Sequence, residues 1–293
     1  MEILVFGAGS LGSLLGGLLS RAHDVTLVGR EPHVSAVERG GLRIGGEIET
    51  HVEPTARTDP PASADLAVVA VKTGDTGAAA EALVDCDLDA CLSVQNGMGN
   101  EERLADSLDC PVLAGTCTYG ARLGEPGTVE CTGVGEVVLG PREGGESTLA
   151  DRIGRAFSEG GIETIVAADM PARLWEKLAV NAAINATTAL ARVPNGALVD
   201  GPASTVAERA ARETAAVARE HGVDLSGDDA AAAALGVADD TARNTSSMRQ
   251  DVEAGRRTEI DAINGYIVAN ADDVAVPVNE TLAALVRAWE AGQ

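Results

Sequence analysis

A short apolar run followed by a glycine-rich turn opens the chain and restricts the folds available to it. Residues 2–6 read EILVF, which is typical of a buried strand, and residues 7–12 read GAGSLG before the helical pattern LLGGLL. Gly7, Gly9 and Gly12 have the spacing G-x-G-x-x-G, placed between a strand and a helix. This arrangement predicts the first strand–helix–strand unit of a parallel, doubly wound sheet.

Further strand patterns alternate with helical ones up to about residue 168. Apolar runs occur at 65–72 (DLAVVAVK), 90–97 (ACLSVQNG) and 112–121 (VLAGTCTYGA), and the alternating segment 127–141 (GTVECTGVGEVVLGP) predicts a β-hairpin. We therefore expect a Rossmann-type domain over residues 1–168, with a mostly parallel sheet and flanking helices.

The pattern changes near Asp169 to helical periodicity alone. Pro171 suits the first turn of a helix, where its missing N–H costs nothing. The predicted helices are 171–190, 203–221, 228–242, 247–254, 258–271 and 279–291. Residues 169–293 are thus expected to form a second, all-helical domain.

One predicted helix carries a polar stripe on an otherwise apolar surface. In WEKLAVNAAINATTAL (175–190), Lys177, Asn181 and Asn185 are four residues apart and share one face, and Thr188 extends it. Asparagine is a poor helix former, so a solvated face would use other residues. Solvation therefore does not explain why a mostly buried helix points an ammonium and two amides the same way.

Lysine is rare in this chain, since only Lys72 and Lys177 are lysines among 22 basic residues. Arginine cannot replace lysine where a compact charge or a transferable proton is needed. The two lysines are therefore candidate functional residues, although chance in an arginine-rich sequence would also account for the count.

The charge balance limits the possible partners. A net charge of −23 and a pI near 4.4 disfavour nucleic acid and anionic membranes, and indicate adaptation to high salt. No apolar run reaches the ~20 residues of a membrane span, and no signal peptide pattern precedes the first strand, so a cytoplasmic location is expected. No metal site is predicted, and whether the chain forms a homo-oligomer is left open.

The glycine motif predicts dinucleotide binding, with a purely structural glycine turn as the alternative. The second predicted strand ends in Gly29-Arg30, without the acidic residue that NAD sites place there for the ribose 2′-hydroxyl. We therefore predict NADP(H), bound through Arg30. A solvent-facing arginine is the alternative, and the adjacent Glu31 could weaken the preference.

Other polar residues follow predicted strands or form short motifs. Lys72 ends one strand, and Gln95 and Asn96 end another, where α/β sheets bind their ligands. Asn96-Gly97 could equally form a simple turn. Ser246 and Ser247 could cap a helix, and RRTEID (256–261) could be a salt-bridged helical face.

As a set, the segments GAGSLG, VKTGD, VQNGMGNEE, WEKLAVNAAINATTAL, VPNG, SSMRQD and RRTEIDAINGYI resemble the ketopantoate reductase family. The resemblance spans nearly the whole chain in the family's order. It implies an NADPH-dependent enzyme that reduces 2-dehydropantoate (ketopantoate), a small 2-oxo acid, to pantoate for pantothenate and coenzyme A synthesis.

The resemblance also implies roles for individual residues, with Lys177 as the catalytic general acid. The implied substrate-binding residues are Asn96, Lys177, Asn181, Asn185, Asn195, Asn244, Ser246, Ser247 and Glu259. The cofactor-binding residues, from the glycine motif, the end of the second strand and the resemblance together, are Gly7, Ala8, Gly9, Ser10, Leu11, Gly12, Arg30, Lys72, Asn96, Ala121 and Glu259.

Two other functions remain open. A reductase of another branched 2-oxo acid, or of an imine, would share the fold and these motifs. A non-catalytic NADP(H)-sensing protein would keep the glycine loop, but it would have no need for the polar stripe or the serine and glutamate motifs.

Overall fold

The computed structural model describes all 293 residues, which divide into two compact units. Residues 1–95 and 99–170 form the first, called here the sheet unit. Residues 96–98 and 171–293 form the second, the helical unit. The predicted fold class is confirmed, since a parallel-rich sheet occupies the N-terminal part and helices the C-terminal part.

The sheet unit contains fourteen strands and five α-helices. In chain order the strands are β1 (Glu2–Phe6), β2 (Asp24–Val28), β3 (Leu42–Gly46), β4 (Thr50–Val52), β5 (Thr55–Arg57), β6 (Ser63–Ala64), β7 (Leu66–Val69), β8 (Asp87–Leu88), β9 (Cys91–Ser93), β10 (Val112–Cys117), β11 (Gly120–Leu123), β12 (Thr128–Gly133), β13 (Val137–Pro141) and β14 (Thr164–Val166). The helices are α1 (Ser10–Leu19), α2 (His33–Gly40), α3 (Thr76–Leu83), α4 (Asn100–Ala105) and α5 (Thr148–Glu159), and a 3-10 turn spans Thr73–Asp75.

Eight strands form the main sheet in the order β14-β13-β10-β9-β7-β1-β2-β5. Every pair is parallel except β10–β13. The central strands read as continuous apolar runs because helices cover both faces of such a sheet. In β7, for example, all four residues are buried. This order places the end of β1, where the glycine loop begins, between the ends of β7 and β2.

A second, smaller sheet overturns the predicted hairpin over 127–141. Its order is β11-β12-β3-β4, so β12 pairs with β11 and β3, whereas β13 belongs to the main sheet and pairs with β10 and β14. The alternation marked both strands correctly, but a period of two carries no information about the pairing partner. The actual hairpin is β11–β12, inserted between the antiparallel neighbours β10 and β13.

The helical unit contains six α-helices and two 3-10 turns. The helices are α6 (Met170–Ala191), α7 (Ser204–Glu220), α8 (Gly227–Asp240), α9 (Ser247–Glu253), α10 (Asn264–Ala269) and α11 (Pro277–Ala291), and the turns are Asn195–Leu198 and Ile260–Ala262. The first residue of α6, Met170, is the last residue of the sheet unit. None of them combines the length and apolarity that crossing a bilayer requires.

The predicted helix 258–271 is wrong in its first half. Thr258 and Glu259 precede the 3-10 turn, and Ile263 interrupts the helix with φ −107° and ψ −96° before α10 begins. Thr258 is held outside helical geometry because its N–H and hydroxyl both donate to the Glu290 carboxylate, each at 2.7 Å. Tertiary hydrogen bonds have therefore overridden the local periodicity.

Alanine fills much of the helical core, as in α7 and α8, where Ala207, Ala211, Ala230 and Ala234 are buried. Small side chains let the two helices approach closely, which gives this unit a dense core with few aromatic residues. In the sheet unit, aliphatic residues of β1 and α1 form the largest apolar cluster. The five cysteines are free thiols.

Candidate active site

The exposed residue of the glycine loop after β1 is Gly9, which presents backbone without a side chain. Gly7 has φ +107°, and the N–H groups of Gly7 and Ala8 both donate to the Val28 carbonyl, at 2.9 and 2.8 Å. A Cβ on Gly12 would collide with the Gly7 carbonyl oxygen, whereas a Cβ on Gly9 would meet nothing nearer than 4.0 Å. The loop therefore leaves open space at Gly9, which a bound phosphate group could occupy.

The first turn of α1 suits an anion. It carries no acidic residue, and no side chain caps its N–H groups. Such an end has a partial positive charge and free donors, which is the usual setting for a nucleotide pyrophosphate. The Ser10 hydroxyl accepts from the N–H of Leu123 at 3.0 Å, so β11, which contains Ala121, is held at this end of the helix. These observations fit a dinucleotide.

Arg30 lies just beyond β2 and pairs with an acid that sequence reasoning missed. Its guanidinium donates to the Asp75 carboxylate at 3.1 Å, with Arg30 side-chain exposure at 88%. Glu31 does not pair with Arg30; its carboxylate accepts from the N–H and the hydroxyl of Ser35, at 3.2 and 2.6 Å. Asp75 is three residues after Lys72, and nothing local in VKTGD indicates its partner.

A buried hydrogen-bond network fixes the loops after β7 and β9. The Gln95 amide donates to the Val71 carbonyl (3.1 Å) and to the Thr76 hydroxyl (2.8 Å). Thr76 donates in turn to Asn100 Oδ1 at 2.7 Å. Because Val71 immediately precedes Lys72, this network fixes the backbone that carries the exposed Lys72.

Asn96 belongs to the helical unit although it follows a strand of the sheet. The next residues dock on the turn Ile260–Ala262: Met98 N–H donates to the Ala262 carbonyl at 3.1 Å, and a Cβ on Gly97 would lie 2.6 Å from Ala262 Cβ. Gly97 also has φ +82°. The turn interpretation of Asn96-Gly97 is thus correct, and the turn brings Asn96 to the segment that contains Glu259.

The polar stripe of α6 becomes more buried along the helix. Lys177 and Asn181 are half-buried, Asn185 is buried, and Thr188 is fully buried. The Thr188 hydroxyl bonds the Ser246 hydroxyl at 2.7 Å, and Ser246 caps α9 by accepting from the Arg249 N–H. The helix-capping interpretation is therefore correct for Ser246, which also joins the stripe to α9, while Ser247 is exposed at the first position of that helix.

Asn195, at the start of the 3-10 turn Asn195–Leu198, meets Asn244 in the loop before α9. Asn195 N–H donates to the Asn244 carbonyl at 3.1 Å, and Asn195 Nδ2 donates to the Thr241 hydroxyl at 2.9 Å. Asn195 Oδ1 is buried and has no hydrogen-bond partner. A buried acceptor without a donor is costly, so this atom is suited to a ligand that brings one.

The RRTEID segment makes the ion pairs expected of it but does not form the expected helical face. Arg256 pairs with the buried Asp251, whereas the pairs of Arg257 and Arg287 with Asp261 are exposed. Glu259 is half-buried in the same segment. Sequence reasoning missed Asn264, five positions after Glu259; it is fully buried and its Nδ2 donates to the Ala182 carbonyl of α6 at 3.1 Å.

Each of the four histidines has a hydrogen-bond partner away from the stripe. His23, His51 and His221 each bond a backbone carbonyl, of Ala156, Gly40 and Asn270 respectively, and His33 bonds Ser13 and Gly127. Burial lowers the pKa of His33 below its usual value. Among residues able to donate a proton, Lys177 is the one that lies on the stripe.

Comparison with known proteins agrees with these features. A family model described as ketopantoate reductase PanE/ApbA matches residues 3–144, and one described as ketopantoate reductase PanE/ApbA C terminal matches residues 169–290. The 2-dehydropantoate 2-reductase of Halobacterium salinarum is 45% identical over 298 residues, covering 98% of each sequence.

Solved structures of two related enzymes share the fold of this chain. A ketopantoate reductase from Ralstonia eutropha JMP134 is similar with a TM-score of 0.92 and 36% identity, covering 100% of this chain and 99% of that one. A D-mandelate dehydrogenase solved with NADH and anilino(oxo)acetate has a TM-score of 0.93 and 25% identity, at the same coverage. The family's two models match the two parts of the chain, and a relative is 45% identical to it along nearly its full length. The chain therefore belongs to the ketopantoate reductase family of oxidoreductases.

Proposed function

We propose that this protein catalyses the NADPH-dependent reduction of 2-dehydropantoate to pantoate, with Lys177 as the general acid. The observation that carries the proposal is the stripe on α6, which runs from the half-buried Lys177 to a buried hydroxyl pair, Thr188 with Ser246. Polar groups cost stability when they are buried without hydrogen-bond partners, and a bound 2-oxo acid would supply such partners at the less buried end of the stripe. A protein that only sensed the cofactor would not need it.

The sheet unit supplies the residues that would hold the cofactor. The glycine loop and the first turn of α1 are suited to the pyrophosphate, and Arg30 and Lys72 provide the cationic groups that this acidic chain needs to attract phosphates. When bound, the reduced nicotinamide supplies the hydride. The preference for NADPH rests on Arg30 at the end of β2.

Lys177 supplies the proton that completes the reduction. Addition of a hydride to C2 of the 2-oxo acid breaks the C=O π bond and leaves negative charge on the oxygen. The Lys177 ammonium hydrogen-bonds that oxygen as the charge develops and then transfers one proton to it, which gives the hydroxyl of pantoate. Hydride plus proton accounts for both hydrogens added.

The remaining residues of the helical unit orient the substrate. Ser247, together with Asn244 and Ser246, is assigned to the carboxylate of the 2-oxo acid, and Glu259 to its hydroxyl end. Asn181 and Asn185 flank Lys177 on the stripe, and the unpartnered Asn195 Oδ1 can accept a hydrogen bond from the substrate hydroxyl. Asn96 is assigned to both cofactor and substrate.

A direct assay tests the proposal. The purified protein is mixed with NADPH and ketopantoate in molar KCl, and we expect loss of NADPH absorbance together with formation of pantoate, identified by mass spectrometry. NADH in place of NADPH should be a poorer reductant. Absence of pantoate from protein that binds NADPH would reject the proposed reaction.

Reduction of a different 2-oxo acid is the second candidate. It is supported by the similarity to a D-mandelate dehydrogenase whose structure contains NADH and anilino(oxo)acetate. A panel of branched and aromatic 2-oxo acids separates the two candidates. We expect the highest kcat/KM with ketopantoate, and a higher value with an aromatic or unhydroxylated acid would favour the alternative.

A further inference from the structure

An acid and a base from two strand ends meet across the glycine loop. Arg30 follows β2, and Asp75 closes the 3-10 turn after β7. Because β1 lies between β7 and β2 in the sheet, the 3.1 Å ion pair between them spans the end of β1, where GAGSLG begins. The pair therefore lies where the adenosine half of a dinucleotide is expected.

Glu31, the acid next to Arg30 in sequence, makes different contacts. Its carboxylate accepts two hydrogen bonds from Ser35 in the first turn of α2, where a negative charge is favourable. Asp75, 45 residues away along the chain, is the carboxylate that contacts the Arg30 guanidinium. The residue that competes for Arg30 is therefore Asp75.

We infer that Asp75 limits the preference for NADP(H) over NAD(H) by competing with the 2′-phosphate for Arg30. The inference rests on the cofactor assigned in the proposed function. A 2′-phosphate must displace the Asp75 carboxylate from the guanidinium, and it is also repelled by it. A 2′-hydroxyl meets neither obstacle, since a carboxylate is the acceptor that NAD sites use for it.

The competition is limited in size because both partners are exposed. Arg30 and Asp75 side chains are 88% and 50% exposed, and such ion pairs contribute little in water. We expect removal of the Asp75 charge to tighten NADP⁺ binding by about three- to tenfold. The effect should shrink as KCl is raised, because salt screens exposed charges.

Calorimetric titration with NADP⁺ and NAD⁺, without any 2-oxo acid, tests the inference. The variants are Asp75→Asn, Arg30→Ala and the double mutant. Asp75→Asn should tighten NADP⁺ binding about three- to tenfold and change NAD⁺ binding by less than about twofold, and in the Arg30→Ala background the gain for NADP⁺ should fall below about twofold.

Asp89→Asn is the matched control. It removes one charge from another exposed pair, Asp89 with Arg152 at 3.4 Å, so it reports the general effect of making the protein less acidic. An equal gain in NADP⁺ affinity in Asp89→Asn would overturn the inference. Equal changes in the affinities for NADP⁺ and NAD⁺ in Asp75→Asn would also overturn it, as would a protein that binds neither nucleotide. If the predicted shift is found but ketopantoate is not reduced, the proposed reaction alone is rejected.

Discussion

Lysine is so rare in this chain that the role of each copy can be tested by replacement with arginine. Lys177 lies on the polar stripe of α6, whereas Lys72 is exposed at a strand end. If Lys177 donates a proton, arginine should fail, because guanidinium holds its proton at any working pH and cannot occupy the ammonium's position. If Lys72 only attracts a phosphate group, a positive charge is sufficient there, and arginine provides it.

We therefore predict that Lys177→Arg and Lys177→Ala both lower kcat by about 10²- to 10⁴-fold, the usual effect of removing a general acid. NADPH affinity should stay within a few-fold of wild type. Lys72→Arg, the matched control, should retain most of kcat. Steady-state kinetics and NADPH fluorescence titrations measure both quantities. A Lys177→Arg enzyme with near-normal kcat would contradict the assignment.

The adjacent serines Ser246 and Ser247 should differ sharply in what their hydroxyls do. Ser246 is buried, caps α9 and bonds Thr188, so Ser246→Ala should lower the free energy of unfolding by about 1–2 kcal/mol. Ser247 is exposed at the start of the helix, so Ser247→Ala should leave stability nearly unchanged.

In kinetic assays we expect Ser247→Ala to raise KM for the 2-oxo acid while leaving the affinity for NADPH unchanged. Unfolding in guanidinium chloride and steady-state kinetics separate the two serines. Loss of stability in Ser247→Ala, without a change in KM, would show that this residue supports the fold and does not bind substrate.

At the scale of helices and strands, the positions of elements were readable from the sequence, but their partners were not. The strand pattern placed β12 and β13 correctly, yet joined them as a hairpin although they lie in different sheets. The helical pattern over 258–271 could not include the Glu290 carboxylate that holds Thr258 in place. Local periodicity reports burial along one segment and contains nothing about which distant segment it meets.

The same limit applies to the candidate site. Lys72, Arg30 and the α6 stripe stand out because their residue types are unusual for their positions. Asp75 and Thr76 do not, since an acid or a threonine in a turn is ordinary. Their roles arise from contacts with residues 45 and 24 positions away, which only the folded chain brings together.

The network around Thr76 should contribute to the stability of the strand-end loops. Thr76→Val keeps the shape but leaves Gln95 Nε2 and Asn100 Oδ1 without this partner in a buried setting. The expected loss is about 1–3 kcal/mol in the free energy of unfolding. Thr76→Ser keeps the hydroxyl and should lose clearly less. Equal stability of the two variants, measured by denaturant unfolding, would show that the network contributes nothing.

His33 connects three elements and should make the sheet unit sensitive to acid. Its Nδ1 accepts from the Gly127 N–H and its Nε2 pairs with the Ser13 hydroxyl of α1, so the fold requires the neutral ring. Burial lowers the pKa of His33. Its stabilising contribution is therefore present above the ordinary histidine pKa of about 6.5 and is lost as pH falls through the lowered pKa of the folded state.

We expect the free energy of unfolding to fall more between pH 7.5 and pH 5 in wild type than in His33→Gln. The glutamine side chain at position 33 does not titrate, so the variant lacks this one contribution to the pH dependence. His51→Gln is the control, because His51 is exposed and bonds one carbonyl. Parallel pH profiles for wild type and His33→Gln would contradict the role given to His33.

At the scale of the whole molecule, the excess of acidic residues should dominate how stability depends on salt. The chain has 45 acidic and 22 basic residues and a net charge of −23, so the folded state repels itself and any anionic ligand. Salt shortens the range of this repulsion from ~10 Å at 0.1 M to ~3 Å at 1 M. The ion pairs are mostly exposed, Arg30–Asp75 and Arg212–Asp228 among them, and cannot offset the excess of acid.

We therefore predict that the melting temperature rises by about 10 °C or more between 0.1 and 3 M KCl. Because each kcal/mol shifts the Tm of a chain of this size by ~2–4 °C, such a rise corresponds to about 2.5–5 kcal/mol of relieved repulsion. Sucrose at matched osmolality is the control, because it strengthens burial without screening charge. Screening predicts that KCl stabilises far more than sucrose and that most of the gain comes below about 1 M, where the Debye length changes most. A melting temperature that is flat in KCl, or that responds equally to sucrose, would mean that the acidity of this chain has a cause other than adaptation to salt.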